Sequence, residues 1–401
     1  MYRFLSERFS QVNPDPDLNP NLNPATIFQL MRLIDRYLLF EWLKTFSIAA
    51  LALISILIVE DVQDDLSDYI NWGASPVDIL EYYFWLLPSF FPLVIPLSLF
   101  VSLLFMLGNL HRNNEIVALR AAGISLVSIT RILWVAGLLL SLGLLLLNGS
   151  LVPRSVEIAR TLRDNWRFSM EEKLYNNADR AGLVYTIGFN NHKEGRLWLM
   201  NRFSQRANEG FGINIYERDS AGSEVRRIMA KDGYYDETVG YWILNQGREV
   251  FSDPDQGGVY FSPVFERKEF PELTEVPNLM LTLAKRTKDL SLFEIRMLLK
   301  NISAEDDPRM NAYAVRYQNI LALPFTCLII VGIAIPFSVS GVRTNPMIGV
   351  SKAAGLLVGY FAVLNISRLM GEQQLIGAFL AAWIPIVLML GVSLYLFRKV
   401  A

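Results

Sequence analysis

The hydrophobic positions of this chain form two groups of three apolar stretches, one on each side of a long polar segment. A helix needs about 20 predominantly apolar residues to cross the hydrocarbon core of a bilayer, and six stretches are of this kind. They are Leu43–Val59, Ile79–Leu107, Ser128–Leu147, Ile320–Val339, Gly349–Ile366 and Leu375–Phe397. The pattern therefore predicts an α-helical membrane protein with six transmembrane helices and both termini on one side.

The polar segment between the third and fourth spans, residues 151–311, has a different period. From Leu183 onward apolar and polar residues alternate, which is typical of short strands separated by Gly- and Asp-rich turns. The clearest runs are Leu183–Ile187, Arg196–Met200 and Gly212–Tyr216. This pattern predicts an inserted all-β domain of the sandwich or jellyroll type. A helix over Leu290–Lys300, capped by Ser291 and Glu294, leads back to the membrane.

The remaining boundaries follow from composition. Residues 1–26 are polar and rich in Asn-Pro and Asp-Pro, which predicts a disordered tail with no cleavable signal. Residues 27–150 hold the first three spans, and residues 312–401 hold the last three. An apolar stripe just after the tail fits either a helix lying in the membrane interface or an extension of the first span. The pattern favours neither alternative.

Charge in the short connections predicts the orientation. The first connection, Glu60–Asp78, contains acidic residues but no lysine or arginine. Basic residues follow the second, fourth and sixth spans instead, as Arg112, Arg120, Lys352, Arg398 and Lys399 show. Because short cytoplasmic loops are enriched in lysine and arginine, we expect both termini in the cytoplasm and the central domain on the opposite side.

Composition excludes several classes of protein. The formal net charge is −2 and 52% of the residues are hydrophobic, so nothing indicates a nucleic-acid partner. One cysteine, Cys327, allows no disulfide within the chain, and two histidines give no basis for a zinc or haem site. No G-x-x-x-x-G-K-[ST], G-x-S-x-G or H-E-x-x-H motif occurs. We therefore expect no metal, no bound cofactor and no catalytic residue.

A short cytoplasmic segment near residues 111–125 is a candidate contact for a partner protein. It predicts about two helical turns that present Glu115 and Arg120, followed by a stop at Gly123. The alternative is a loop helix that merely links two spans. Sequence physics alone does not separate these interpretations.

Prolines and glycines mark two of the spans. Pro88, Pro92 and Pro96 recur every four residues in the second span, where each removes a backbone hydrogen bond, so we predict a kinked or loosened helix. Gly355 and Gly359 form a G-x-x-x-G in the fifth span, which would let another helix approach closely. Packing within the bundle is favoured over a dimer face.

Two arginines are candidates for binding an anionic amphiphile. Arg316 and Arg368 are predicted near the outer mouths of the fourth and fifth spans, where cations would meet the phosphates of a lipid. The alternative, which the pattern alone favours, is that both side chains anchor the helices to lipid headgroups.

Several short motifs, in order, resemble the permease subunits of the lipopolysaccharide-export ABC transporter. The resemblance covers nearly all of the chain after about residue 33. Its motifs are Ile34-Asp35-Arg36-Tyr37-Leu38, Glu115–Gly123, Ile228-Met229-Ala230, Tyr241-Trp242-Ile243-Leu244, Leu273-Thr274-Glu275-Val276-Pro277, Leu323-Pro324-Phe325 and Ala381-Ala382-Trp383-Ile384-Pro385.

The resemblance implies a six-helix subunit of the bacterial inner membrane with a periplasmic β-jellyroll. It implies pairing with a paralogous permease and two copies of a cytoplasmic ATPase, which would hold ATP and Mg²⁺, and transfer of the glycolipid to a periplasmic jellyroll bridge protein. Glu115 matches the acidic residue of the family's coupling helix, which fits a groove on the ATPase. The first helix of one permease and the fifth of the other would form lateral gates.

One departure from the family concerns the outer end of the first helix. Some members carry lysines there that face lipid phosphates, whereas this chain has the acidic run Glu60–Asp65. Without divalent cations in between, this run would repel a phosphorylated lipid. Either this subunit supplies little of the phosphate contact, or its substrate is less anionic.

Two other classes of function are considered beside the transporter. A membrane-anchored scaffold whose β-domain only recruits periplasmic proteins would not need Glu115. A lipid-modifying enzyme would need convergent polar residues in the bundle, where only scattered ones such as Asn365 and Ser367 occur.

Overall fold

The computed structural model describes residues 24–175, 181–191, 193–219, 222–253, 258–284, 290–302, 307, 309–339 and 346–400 of the chain. The predicted disordered tail lies mostly in residues 1–23, outside the described residues. Of that tail, the structure describes only the helical residues from Pro24 onward.

Helices form the part of the chain before the β-domain. They are α1 (Pro24–Asn71), α2 (Pro76–Leu86), α3 (Phe91–Arg112), α4 (Glu115–Ala121), α5 (Leu126–Leu146) and α6 (Val152–Tyr175). A 3-10 turn, Leu87–Phe90, joins α2 to α3, and a π-helical turn, Leu147–Leu151, joins α5 to α6.

Seven strands follow, and helices then return to the bundle. The strands are β1 (Leu183–Asn191), β2 (Arg196–Ser204), β3 (Glu209–Arg218), β4 (Glu224–Asp236), β5 (Tyr241–Asp253), β6 (Gly258–Phe261) and β7 (Phe265–Phe270). The later helices are α7 (Pro277–Ala284), α8 (Leu292–Asn301), α9 (Arg309–Ala322), α10 (Thr326–Val339), α11 (Pro346–Glu372) and α12 (Ala378–Val400).

Six helical segments in the described ranges are long and apolar enough to cross a membrane, which confirms the six predicted spans. The second and fourth spans are not single α-helices. Each contains a short 3-10 turn with a proline, Pro88 in one and Pro324 in the other. Proline lacks the N–H that continues an α-helix and its ring clashes with the preceding turn. The predicted loosening of the second span is therefore located at Pro88.

The first span belongs to one uninterrupted helix. Helix α1 has 48 residues, about 72 Å at 1.5 Å per residue, so the predicted apolar stripe after the tail belongs to an extension of the first span. Ile34, Leu38 and Trp42 are buried in the core of the bundle. The apolar window of the span is only 6% buried within the chain, which leaves this helix with a large surface for lipid or a partner.

The strands form one antiparallel sheet in which β1 to β6 are neighbours in sequence order, with β7 added beside β5. The predicted all-β, jellyroll-like domain between the third and fourth spans is thus confirmed. Its core follows from the period of two, because alternate side chains point to the same face. Trp198 and Trp242 are both fully buried, and their ring centroids lie 5.1 Å apart.

The core of the β-domain continues into the helices that lead back to the bundle. Ile295 and Leu298 of α8, together with Met310 and Tyr313 of α9, belong to the same buried cluster as Trp242. Because α9 opens the fourth span, the sheet and that span share one core. The predicted capping box of Ser291 and Glu294 at the start of α8 is also confirmed.

The β-domain is expected to lose stability in acid through Glu249. Burial alone would raise the pKa of this carboxyl, but hydrogen bonds from Lys268 and Arg226 outweigh that effect and hold its pKa below 4.5. A lowered folded-state pKa stabilises the fold above the unfolded pKa, and this stabilisation is lost as pH falls through the folded pKa. When the pH is lowered below roughly 4.5, we expect the thermal midpoint of the β-domain to decrease in the wild type. The decrease should be smaller in Glu249→Gln. If the thermal midpoints of the wild type and of Glu249→Gln depended on pH in the same way, this role of Glu249 would be contradicted.

Candidate functional site

A cavity of about 550 Å³ lies between the bundle and the helices that connect it to the β-domain. Residues of α2, α3, α6, α9 and α11 and the start of α8 line it. Four of them are arginines: Arg160, Arg163, Arg316 and Arg368. Arg316 and Arg368, predicted at the mouths of two different spans, therefore meet at one site.

The cavity is basic on one part of its lining and apolar on another. None of the described residues that line it is acidic, and the apolar part includes Leu86, Pro92, Val152, Ile320 and Leu323. This combination is suited to an amphiphile with phosphate groups, since arginine binds phosphate through a planar fork of donors and apolar walls accept hydrocarbon.

The arginines are held in position by nearby groups. Arg368 Nε lies 2.8 Å from Glu372 Oε1, one turn further along α11. Arg316 Nη2 donates to the carbonyl oxygen of Leu290 at 3.4 Å. These contacts orient the guanidinium groups of the fourth and fifth spans.

Arg160 and Arg163 were not among the residues proposed from the sequence. They lie on α6, which continues the third span well beyond the predicted end at Leu147. A signal was present, because Val156, Arg160 and Arg163 are spaced four and three residues apart and so share one helical face. Because α6 contains both polar and apolar residues, hydropathy did not indicate that the third span continues into a helix with this face.

The short segment near residues 111–125 contains a helix of seven residues, α4, as its pattern predicted. Asn114 before it has φ 59°, and Gly123 after it has φ +82°, a left-handed conformation that favours glycine. Ile116 is 2% exposed and anchors the helix to the bundle core. Arg120 is exposed and Glu115 half-buried, so the helix has a free face made of small and polar residues.

Two polar contacts connect α1 to this region. The hydroxyl of Tyr37 donates to Glu115 Oε2 at 3.2 Å. Arg131, near the start of α5, forms an ion pair with Asp35 in which its Nε lies 3.1 Å from Oδ2. Asp35 and Tyr37 of the Ile34–Leu38 motif therefore orient α4 and the third span, while Ile34 and Leu38 enter the core.

The acidic run of α1 lies at the other end of that helix. Glu60, Asp64 and Asp68 are exposed, whereas Asp65 accepts a hydrogen bond of 3.1 Å from the buried Tyr69. Across the described part of the chain, no three side chains of His, Cys, Asp or Glu come together to hold a metal ion. Asp65 therefore makes a structural contact, and the exposed members of the run form a negative surface.

The two glycines of the fifth span do not pack within the bundle. Gly355 and Gly359 are exposed, and a Cβ added to either would meet nothing within 4 Å. The close helix approaches occur elsewhere, at Gly332 against Ser393 and at Gly371 against Ala381. The favoured interpretation of packing within the bundle is therefore not supported, because the motif reports small side chains but not the direction in which they point.

Pro92 and Pro96 contribute differently from Pro88. Pro92 lies in the first turn of α3, where an α-helix needs no N–H donor, and it lines the cavity. Pro96 is buried inside α3. The three prolines thus end one helix, begin the next and fill the core.

Comparison with known families gives a match over most of the chain. The profile of the family described as lipopolysaccharide export system permease LptF/LptG matches residues 36–399. No curated protein sequence matches the chain.

Proposed function

Because the chain belongs to the LptF/LptG family of lipopolysaccharide export permeases, we propose that its basic cavity binds the phosphate-bearing head of the exported glycolipid. As a member, the chain is a multi-pass inner-membrane protein and a subunit of a transporter rather than an enzyme. The cavity is the place in this structure where a transported glycolipid would bind.

The observation that carries this proposal is the set of four arginines around a cavity without a lining carboxylate. Isolated arginines at helix ends would anchor the helices to lipid headgroups. Four from α6, α9 and α11 around one partly apolar space instead favour binding of a phosphorylated amphiphile.

The same geometry bears on the acidic run of α1. With the cations supplied by α6, α9 and α11, the first helix has no need to contact phosphate. This supports the alternative in which the outer end of the first helix supplies little of the phosphate contact. A less anionic substrate is then not needed to explain the acidic run.

The direction of transport follows from the charge pattern. In this proposal both termini and α4 face the cytoplasm, and the β-domain faces the periplasm. Glu115, Arg120 and Gly123 belong to the coupling segment that contacts a separate ATPase, which binds ATP and Mg²⁺. Motion of α4 reaches the cavity through the bundle, and the glycolipid passes to the β-domain and then to a periplasmic jellyroll bridge protein.

A paralogous permease completes the assembly in this proposal. The exposed faces of α1 and of α11, including Gly355 and Gly359, are the surfaces available for lateral gates. The proline-containing turn at Pro88 gives the second span a place to bend between two packed states.

Replacing Arg316 and Arg368 together by alanine is expected to reduce photocrosslinking of bound glycolipid about tenfold or more, since two charge-assisted contacts are lost. The measurement uses the assembled transporter and a photoreactive glycolipid. Arg154→Ala is the matched control, because Arg154 is an exposed arginine of α6 that does not line the cavity. If crosslinking is unchanged in the double variant, both arginines only anchor their helices to lipid headgroups.

A further inference from the structure

Arg160 both lines the basic cavity and forms an ion pair with Glu294. Its Nη1 lies 3.2 Å from Glu294 Oε1 and 3.5 Å from Oε2. The two side chains are 19% and 20% exposed, so water and ions reach the pair. A phosphate offers more charge and more acceptor oxygens than a carboxylate. A phosphate in the cavity is therefore a strong competitor for this guanidinium.

Glu294 also has a second contact, at the start of α8. The backbone N–H of Ser291 donates to Glu294 Oε2 at 2.7 Å, and the N–H of Glu294 donates to Ser291 Oγ at 3.2 Å. Ser291 and Leu292 line the cavity beside Arg160. One carboxylate thus caps α8 and ties the first turn of this helix to α6.

The other face of α8 belongs to the β-domain. Ile295 and Leu298 are fully buried in the core that contains Trp198 and Trp242. A displacement of α8 relative to α6 therefore moves an element that is packed into the β-domain. Helix α8 is a direct physical connection between the cavity and the sheet.

From these contacts we infer that the Arg160–Glu294 pair is a ligand-sensitive link between the cavity and the β-domain. Glu294 holds Arg160 when the cavity is empty. When the glycolipid binds, its phosphate replaces the Glu294 carboxylate as the partner of Arg160, so that α6 and α8 separate. The β-domain is then free to move to the position in which it accepts the glycolipid. This inference rests on the proposed function, since it needs a phosphate-bearing ligand in the cavity.

The exchange leaves α8 folded. Glu294 keeps its bond to the N–H of Ser291 after Arg160 has turned to the phosphate, and a capping box needs only this reciprocal pair. What is lost is the bridge between the two helices. Binding energy at the cavity is thereby coupled to the position of the β-domain, as linkage between two sites requires.

Glu294→Gln is the variant that separates these roles. Glutamine serves at this position of a capping box, but it carries no charge to compete with phosphate. In the assembled transporter we expect Glu294→Gln to bind bis-phosphorylated lipid A about threefold to fivefold more tightly, the range of a half-buried ion pair. The same lipid after dephosphorylation is expected to show no difference.

Three control variants complete the binding measurement. Glu157→Gln removes an exposed carboxylate of α6 that does not line the cavity, so its affinity for the phosphorylated lipid should match the wild type. Arg160→Ala and the double variant Arg160→Ala with Glu294→Gln should bind equally, because the gain from Glu294→Gln needs Arg160. A gain that persists without Arg160 would overturn the inference.

The movement is tested by a distance between spin labels on introduced cysteines at Glu157 of α6 and Arg296 of α8, both exposed. We expect the phosphorylated lipid to lengthen this distance by a few Å in the wild type. Glu294→Gln should show the longer distance without lipid. An unchanged distance in both proteins would overturn the inference.

The failures of the two proposals are distinguishable. If wild-type protein binds phosphorylated and dephosphorylated lipid equally, the phosphate site itself is wrong. If it prefers the phosphorylated lipid but Glu294→Gln changes neither affinity nor distance, the site stands and only the link is wrong.

Discussion

Glu115→Ala is expected to abolish ATP-driven glycolipid release while the chain still inserts in the membrane and assembles. In the proposed function, this carboxylate is the charged contact between the permease and its ATPase. Truncating one partner of a buried, hydrogen-bonded charge pair costs about 2 kcal/mol or more, which is roughly thirtyfold in the strength of that contact. The measurement compares lipid release and ATP hydrolysis in reconstituted vesicles with the amount of assembled complex.

Two further variants separate the charge of Glu115 from its position. Glu115→Gln keeps an acceptor for the hydroxyl of Tyr37 but removes the charge, so its loss should approach that of alanine. Tyr37→Phe removes only the hydrogen bond of 3.2 Å to Glu115; because the charge that contacts the ATPase is kept, a smaller loss is expected. Glu60→Ala, an exposed acidic residue at the far end of α1, is the control. Normal release by Glu115→Ala would favour the scaffold hypothesis.

The outline of the fold was predictable because it depends on periods that are local in sequence. Six long apolar stretches imply six spans, and the alternation from Leu183 onward implies strands. Local chemistry also predicted the capping box of Ser291 and Glu294 and the stop at Gly123. In each case the residues that make the contact are only a few positions apart.

Features that depend on distant contacts were not predictable. The shared core of the sheet and α9 joins Trp242 to Tyr313, which no local pattern reports. The cavity was predicted only in part, since Arg316 and Arg368 were proposed for separate helix ends. Arg160 lies on a helix that the hydropathy of the third span did not reveal. Physical proximity of these groups is a property of the packed bundle.

A second large effect is expected in the β-domain, where Arg196→Ala should lower the free energy of unfolding by about 3–5 kcal/mol. Arg196 Nε lies 2.7 Å from Glu275 Oε1, and the two side chains are only 7% and 4% exposed. Arg196 Nη1 also donates to the carbonyl oxygen of Glu272 at 2.8 Å. Removing the guanidinium leaves a buried carboxylate without its cation, and desolvation makes that costly.

The loop that carries Glu275 also covers the core of the sheet. Trp242 Nε1 donates to the carbonyl oxygen of Glu275 at 2.7 Å, and Leu273 is fully buried. Loss of the ion pair should therefore loosen the loop over Trp242 before the bundle is affected. Amide hydrogen exchange of β2 and β5 in the full chain measures this, because the two parts of the protein need not unfold together.

The paired replacement of Arg196 by Met and Glu275 by Leu decides between charge and volume as the cause. Removing both charges from a buried pair is often neutral or stabilising, so this double variant should lie within about 2 kcal/mol of the wild type even though it loses the bond to Glu272. Arg227→Ala is the matched control, since its pair with Glu224 is exposed by 37% and 34% and should contribute less than about 1 kcal/mol. If the double variant is as unstable as Arg196→Ala, the site depends on the shape and hydrogen bonds of the arginine rather than on an unpaired carboxylate.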